Sequence, residues 1–293
     1  MTDWGELLHQ IGEQTGLRLL PDNVRQIGGG SIHHAYRLQG DSGAVFMKLN
    51  TPDQLAGFEA EAMGLEALAA TSTLRVPRVL GCAEAHQKAY LLLEWLDLTG
   101  PGGIGDDSLG KGLAALHRHT GKAFGFTRDN FIGSTPQPNP WTENWIDFFR
   151  EQRMGFQLRL AADNGFGFLL ADGRQLMESL ASFFEGYQPV PSLLHGDLWA
   201  GNQGRMDNGE PVIFDPAVYY GDRETDLAMT GLFGGFGRDF YQAYESEWPL
   251  SPGWEARRNL YQLYHVLNHA NLFGGGYGRD AHGRIRELLD QIS

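Results

Sequence analysis

The sequence predicts an α+β chain in two lobes, an antiparallel sheet with one helix followed by a mainly α-helical body. Three observations predict it. Short β-type runs separated by glycine turns crowd the first part of the chain, up to Trp95. From Asp107 onward apolar residues recur at helical spacing. A length of 293 residues with 42% hydrophobic content gives material for one or two full cores, as in a two-lobed enzyme.

Trp4, Leu7, Leu8 and Ile11 recur at i, i+3, i+4 and i+7, so residues 3–14 read as an amphipathic helix, a lid or brace, with Gly16 beyond its end. Val24 to Ile27, Ile32 to Leu38 and Ala44 to Leu49 read as three strands of a meander, the last two joined through Gly40-Asp41-Ser42-Gly43. Gly28-Gly29-Gly30-Ser31 separates the first two. Lys48 is the only charge in the third strand's Val45-Phe46-Met47-Lys48-Leu49 run. A helix follows, with Leu55, Phe58, Ala62, Leu65 and Leu68 on one face and with Glu59 and Glu61 in its first half. Arg78 to Cys82 and Ala89 to Trp95 complete a five-stranded sheet, the last being apolar enough for a buried central strand. This places the N-lobe at 1–96 and the C-lobe at 97–293, with Gly100 to Asp107 as hinge.

The C-lobe reads as helical throughout. Leu109, Leu113, Leu116 and His117 share one helix face, and His117 in that setting is structural. A long aromatic helix carries Trp141, Trp145, Phe148 and Phe149, and another carries Leu176, Leu180, Phe183 and Phe184; these stripes are core. Asp222 to Phe233, Phe240 to Tyr244, Trp254 to Phe273 and Arg284 to Ile292 follow at the same spacing.

Composition removes several function classes. The net charge of −13, without a Lys/Arg cluster, argues against nucleic acid. Cys82 is the single cysteine, so no internal disulfide forms, and Met1-Thr2-Asp3-Trp4 lacks the basic and apolar regions of a signal peptide. No apolar run approaches the roughly 20 residues of a membrane span. A cytoplasmic monomer that binds neither membrane nor nucleic acid is the expectation.

The segment His195-Gly196-Asp197-Leu198-Trp199-Ala200-Gly201-Asn202 sets an Asp and an Asn five positions apart, and Asp215 ends the apolar run Val212-Ile213-Phe214. That is the layout of a phosphoryl-transfer site, in which the first Asp takes the proton of the attacking hydroxyl while the Asn and the later Asp hold magnesium against nucleotide phosphates. Lys48 then reads as the phosphate-binding lysine, with Glu61, or alternatively Glu59, as its partner. Backbone amides of the glycine loop could approach phosphate oxygens. Glu94-Trp95-Leu96 would connect the lobes and offer backbone groups to an adenine edge.

Gly28 to Ile32, Phe46-Met47-Lys48, Phe58 to Glu61, Leu194 to Asn202, Phe214 to Ala217, Tyr219 to Ala228 and Phe233 to Phe236 together resemble the fructosamine (ketosamine) kinase family. That family belongs to the aminoglycoside and choline kinase-like superfamily. The resemblance implies a two-lobed protein kinase-like fold, ATP and Mg2+ as cofactors, and transfer of the γ-phosphoryl group to the 3-hydroxyl of a ketosamine, free or protein-bound, in deglycation. It makes Asp197 the base, Asn202 and Asp215 the magnesium ligands, Lys48 and Glu61 the phosphate-setting pair, and Gly28, Gly29, Gly30 and Ser31 the phosphate cover. Trp199 and His195 fall to the substrate, with Trp199 as the sugar platform, and Asp226 to bracing the loop. Many relatives place cysteine where this chain has Ser31. The alternatives are another small-molecule kinase of the superfamily, acting on an aminoglycoside or choline-like alcohol, and a nucleotide-binding pseudokinase.

Overall fold

A computed structural model describes residues 2–28, 34–41, 43–101 and 107–292. Helix α1 (Trp4–Thr15) is capped by the Asp3 side chain and ended by Gly16 at φ 73°. Strands β1 (Leu19–Ile27), β2 (His34–Gly40) and β3 (Gly43–Asn50) form the meander, helix α2 (Leu55–Ala70) crosses it, and β4 (Val79–Ala85) and β5 (Lys88–Glu94) complete an antiparallel sheet in the order β1-β2-β3-β5-β4. Central β5 is buried along most of its length. Residues 29–33 and 102–106 lie outside the described residues, and with them most of the predicted glycine loop and hinge.

The sheet's alternation sends Val45, Met47 and Leu49 to one side, where they pack with Leu7, Leu8 and Ile11 of α1. Helix α1 is therefore a brace. Each of those three helix residues is at most 2% exposed, and burial of such a side chain stabilises by roughly 1.5–3 kcal/mol. The opposite side carries Phe46, Leu91 and Leu93 against Phe58, Leu65 and Leu68 of α2. This core continues without a break into the helical body.

The body runs β6 (Leu98–Pro101), α3 (Asp107–His117), the hairpin β7 (Asn130–Ile132) and β8 (Thr135–Gln137), α4 (Trp145–Phe148), α5 (Phe156–Ala161) and α6 (Leu170–Glu178). It continues through β9 (Ser192–Leu194), β10 (Gln203–Met206), β11 (Pro211–Ile213), β12 (Tyr219–Gly221), α7 (Glu224–Leu232), α8 (Arg238–Glu247), α9 (Trp254–Phe273) and α10 (Tyr277–Asp290). Helices α4 and α5 are joined by a π-helical stretch, Phe149–Gly155. Three small sheets, β11-β10-β6, β12-β9 and β7-β8, interrupt the helices.

Several boundaries differ from the sequence reading. The first strand begins at Leu19 rather than Val24, because an irregularity between Leu20 and Arg25 breaks its alternation. The start of the predicted hinge is strand β6, paired with β10. Trp141 precedes its predicted helix and is 49% exposed, so it is not core. Helix α10 starts at Tyr277, well before Arg284. The body is not all helix, since strands of three or four residues are too short to display a period of two.

Candidate active site

Asp197 sits in the loop after β9, and two features of the backbone put it there. Gly196 has φ 84°, and a Cβ at that position would lie 2.0 Å from the Ala217 carbonyl oxygen, so only glycine fits. The loop is then fixed by Asp226, at the start of α7. One of its oxygens accepts from the His195 amide at 2.8 Å and from His117 at 3.1 Å, and the other accepts from the Gly196 amide at 2.8 Å. Burial pushes the Asp226 carboxyl up, but His117, His195 and the Gly196 amide together hold it below the usual carboxylate range. His117 bonds Tyr244 through its other nitrogen and is structural, as its helical setting suggests.

The structure corrects the substrate role of His195. Its side chain is fully buried, Nε2 lies 3.0 Å from the Phe214 carbonyl, and Nδ1 accepts from the Asp197 amide at 3.3 Å. Burial lowers its pKa, and the two bonds suit a neutral ring that donates through Nε2. The imidazole ties the Asp197 loop to the strand end before Asp215 and is shut off from solvent.

Asn202 lies between the two acidic positions. Its Nδ2 donates to the Asp197 carbonyl at 2.9 Å, to the Asp197 carboxylate at 3.1 Å and to the Asp215 carbonyl at 3.4 Å. Burial is the main reason the Asp197 carboxyl is pushed well above the usual range, and the Asp215 charge adds to it while Asn202 opposes it. Asp215 adopts φ 55°, a left-handed conformation that costs a non-glycine residue energy and that clusters at functional sites.

Lys48 joins the sheet to this loop. Its Nζ lies 2.8 and 2.9 Å from the Glu61 oxygens and 2.9 Å from Asp215 Oδ1. Burial alone would push the ammonium down, yet the two carboxylates hold it above the ordinary lysine range. Between the two open candidates, Glu61 is the partner: Glu59 instead pairs with Arg128 at 2.6 Å. Glu94 pairs with Arg75, 2.6 Å away, and residues 95–97 belong to no strand or helix. The Trp95 indole donates to Asp97 and lies under Arg37. Leu96 is half-buried in the same linker. Gly28 is described, whereas Gly29, Gly30 and Ser31 lie outside the described residues.

Trp199 is 39% exposed, and its ring lies over Gly201, where an added Cβ would come within 2.2 Å of the indole. The absence of a side chain at 201 sets the ring's pose.

One set of positioning residues escaped the sequence reading. Arg153, fully buried in the π-helical stretch, donates to the Pro138 carbonyl at 2.7 Å and to the Asn139 side chain at 2.6 Å, with its guanidinium 4.1 Å above the Tyr219 ring. Asn139 and Gln137 both donate to Asn130, and Tyr264 donates to Gln137 at 2.6 Å. Asn130 and Gln137 in turn donate to the carbonyls of Val218 and Ala217, just past Asp215. This buried network anchors the backbone that follows the strained aspartate. Its members are neutral amides, a phenol and one cation scattered over the chain from Asn130 to Tyr264, so no local motif announced them.

The fructosamine kinase family model matches residues 3–291. The chain belongs to the fructosamine kinase family. Within it, a probable ketoamine kinase of Synechocystis is 47% identical over 290 residues, covering 98% of this chain and 97% of the relative. A chloroplastic protein-ribulosamine 3-kinase of Arabidopsis thaliana is 45% identical over 273 residues, covering 92% and 83%. A crystal structure from Haemophilus somnus, assigned as a fructosamine-3-kinase, superposes with TM-score 0.88 at 29% identity, covering 98% of this chain and 97% of that one. The fructosamine kinase fold, an antiparallel N-terminal sheet with a helical remainder, is the fold described above.

Proposed function

We propose that this chain transfers the γ-phosphoryl group of ATP to the 3-hydroxyl of a ketosamine, a fructosamine, ribulosamine or erythrulosamine, free or borne on a protein. The observation that carries the reading is the convergence of Lys48, Glu61, Asp197, Asn202 and Asp215 from both parts of the chain. Family membership and the names of the two relatives support the same acceptor class.

The roles follow from geometry and charge. Asp197 aligns the hydroxyl and accepts its proton, for which its raised pKa gives it more basicity than a free carboxylate. Lys48, oriented by Glu61, offers its ammonium to phosphate oxygens. Residues 94–96 give backbone groups to the adenine, and the lobes divide at 96/97, beyond β5 and before β6. Trp199 presents an indole face to the sugar's C–H surface.

The donor set fits magnesium. Asp215 and Asn202 provide hard oxygen ligands, the Asp215 side chain is 45% exposed, and the Asp215 charge disfavours ionisation of Asp197, which a further cation would relieve. Among the described residues no group of three His, Cys, Asp or Glu forms a closed cage, as suits an ion that is shared with phosphates. Bound there, the ion would neutralise charge developing on the transferred group.

The test is a phosphotransfer screen of fructosyl-, ribulosyl- and erythrulosyl-lysine beside plain amino alcohols. Turnover of a ketosamine, lost in Asp197→Asn, supports the reading; turnover confined to amino alcohols, or full activity in that variant, sinks it.

A further inference from the structure

A chain of aromatic rings leaves the catalytic loop along the surface. Trp199 meets Phe233 edge-on at 6.4 Å, Phe233 lies 4.9 Å from His269, and His269 lies 5.4 Å from Phe273 and 5.3 Å from Tyr277. The rings come from four separate pieces of chain: the catalytic loop, the end of α7, α9 and α10. Trp199, Phe233 and Phe273 are 39%, 45% and 59% exposed, three of the eight large hydrophobic side chains exposed among the described residues. Scattered singly such residues need no explanation, but a contiguous apolar strip marks a contact surface.

We propose that this ridge seats the polypeptide bearing the ketosamine, by packing on apolar side chains next to the modified lysine. The proposal rests on the phosphotransfer reading and names the carrier of its substrate. Continuity argues for this occupant, since the ridge starts at Trp199, two residues from the Asp197 that must meet the sugar hydroxyl. The amine end of the substrate therefore leaves the cleft toward Phe233. Shape argues for it too: Gly234, Gly274 and Gly275 flank the rings, and a Cβ at any of them would meet nothing within 4 Å. These side-chain-free shoulders leave room for an extended backbone. Charge is favourable as well, because a lysine-containing segment approaches a protein of net charge −13.

The experiment uses the full chain and two heptapeptides with a central ribulosyl-lysine, flanked by leucines in one and serines in the other, beside free Nα-acetyl-ribulosyl-lysine. Binding is read by fluorescence anisotropy and turnover by ATP consumption. The leucine-flanked peptide should bind about tenfold tighter than the serine-flanked one, the scale of one partly buried apolar side chain. Phe273→Ser, at an exposed position remote from the reacting atoms, should erase that difference while turnover of the free ketosamine stays within about twofold. Equal binding of the two peptides by the unaltered chain overturns the proposal, as does persistence of the difference in Phe273→Ser. Sedimentation that shows a dimer dissolved by Phe273→Ser, with peptide selectivity intact, assigns the ridge to a second copy and equally overturns it. Failure to turn over the free ketosamine counts against the phosphotransfer reading, whereas the anisotropy comparison still decides the ridge.

Discussion

Two aspartates that meet the same loop, one within it and one on helix α7, live under opposite rules. Asp226 is buried behind the loop and spends both oxygens on donors, two backbone amides and His117, which hold its carboxyl below the usual range. Asp197, at the front, has one side-chain donor in Asn202 and the Asp215 charge for a neighbour, and burial raises it well above that range. The first is built to stay ionised and fix a backbone. The second takes up a proton more readily, so partners alone set two carboxylates at one loop to opposite tendencies.

The strongest way to break the comparison is to remove the chemistry alone. Asp197→Asn should lower kcat by at least about 10²-fold, while ATP still binds by calorimetry and the melting temperature stays near that of the unaltered chain. Asp226→Ala should lower stability and activity together. Removing one partner of a buried charged network costs about 3 kcal/mol or more, visible in urea denaturation, and the loop's activity falls with its order. Intermediate in size is Glu61→Gln, which leaves Lys48 with Asp215 only. Steady-state kinetics should show kcat/KM for ATP reduced about tenfold, the loss of one charge-assisted bond.

The smallest effect sharpens the electrostatics. In the nucleotide-free protein the 13C carboxyl resonance of Asp197 should titrate above the ordinary aspartate range, and Asp215→Asn should lower its midpoint. The signs also separate in stability. The raised Asp197 favours folding below its unfolded pKa and loses that contribution as pH rises through its folded one. The depressed Asp226 contributes above its unfolded pKa and loses it as pH falls through the folded value. Turnover, which needs Asp197 ionised, should rise with pH through the Asp197 midpoint.

Residues that act over short spacings were legible in the sequence. Helix α9 has the predicted bounds, and Lys48, Asp197, Asn202 and Asp215 meet where one strand end and one loop are brought together. What was hidden is what depends on distant neighbours. Whether Glu59 or Glu61 reaches Lys48 turns on the pose of α2 against the sheet, and Arg128 takes the other. His195 fell to the substrate through the family resemblance, but the Phe214 carbonyl and the Asp197 amide claim its ring. Trp141 sits at helical spacing with Trp145 yet lies before the helix begins. The Arg153 network joins residues more than a hundred positions apart through neutral amides, which leave no periodic trace.

The bare Cα of Gly201 has a consequence for anyone who would redesign this enzyme. Because the indole at 199 rests against an unsubstituted backbone rather than in the core, the ring can be exchanged at little thermodynamic risk, whereas a methyl at 201 would force the present ring to move from its pose. A library that varies 199 and leaves 201 untouched therefore changes the ring on an unchanged backbone, and one that varies 201 changes the ring's pose.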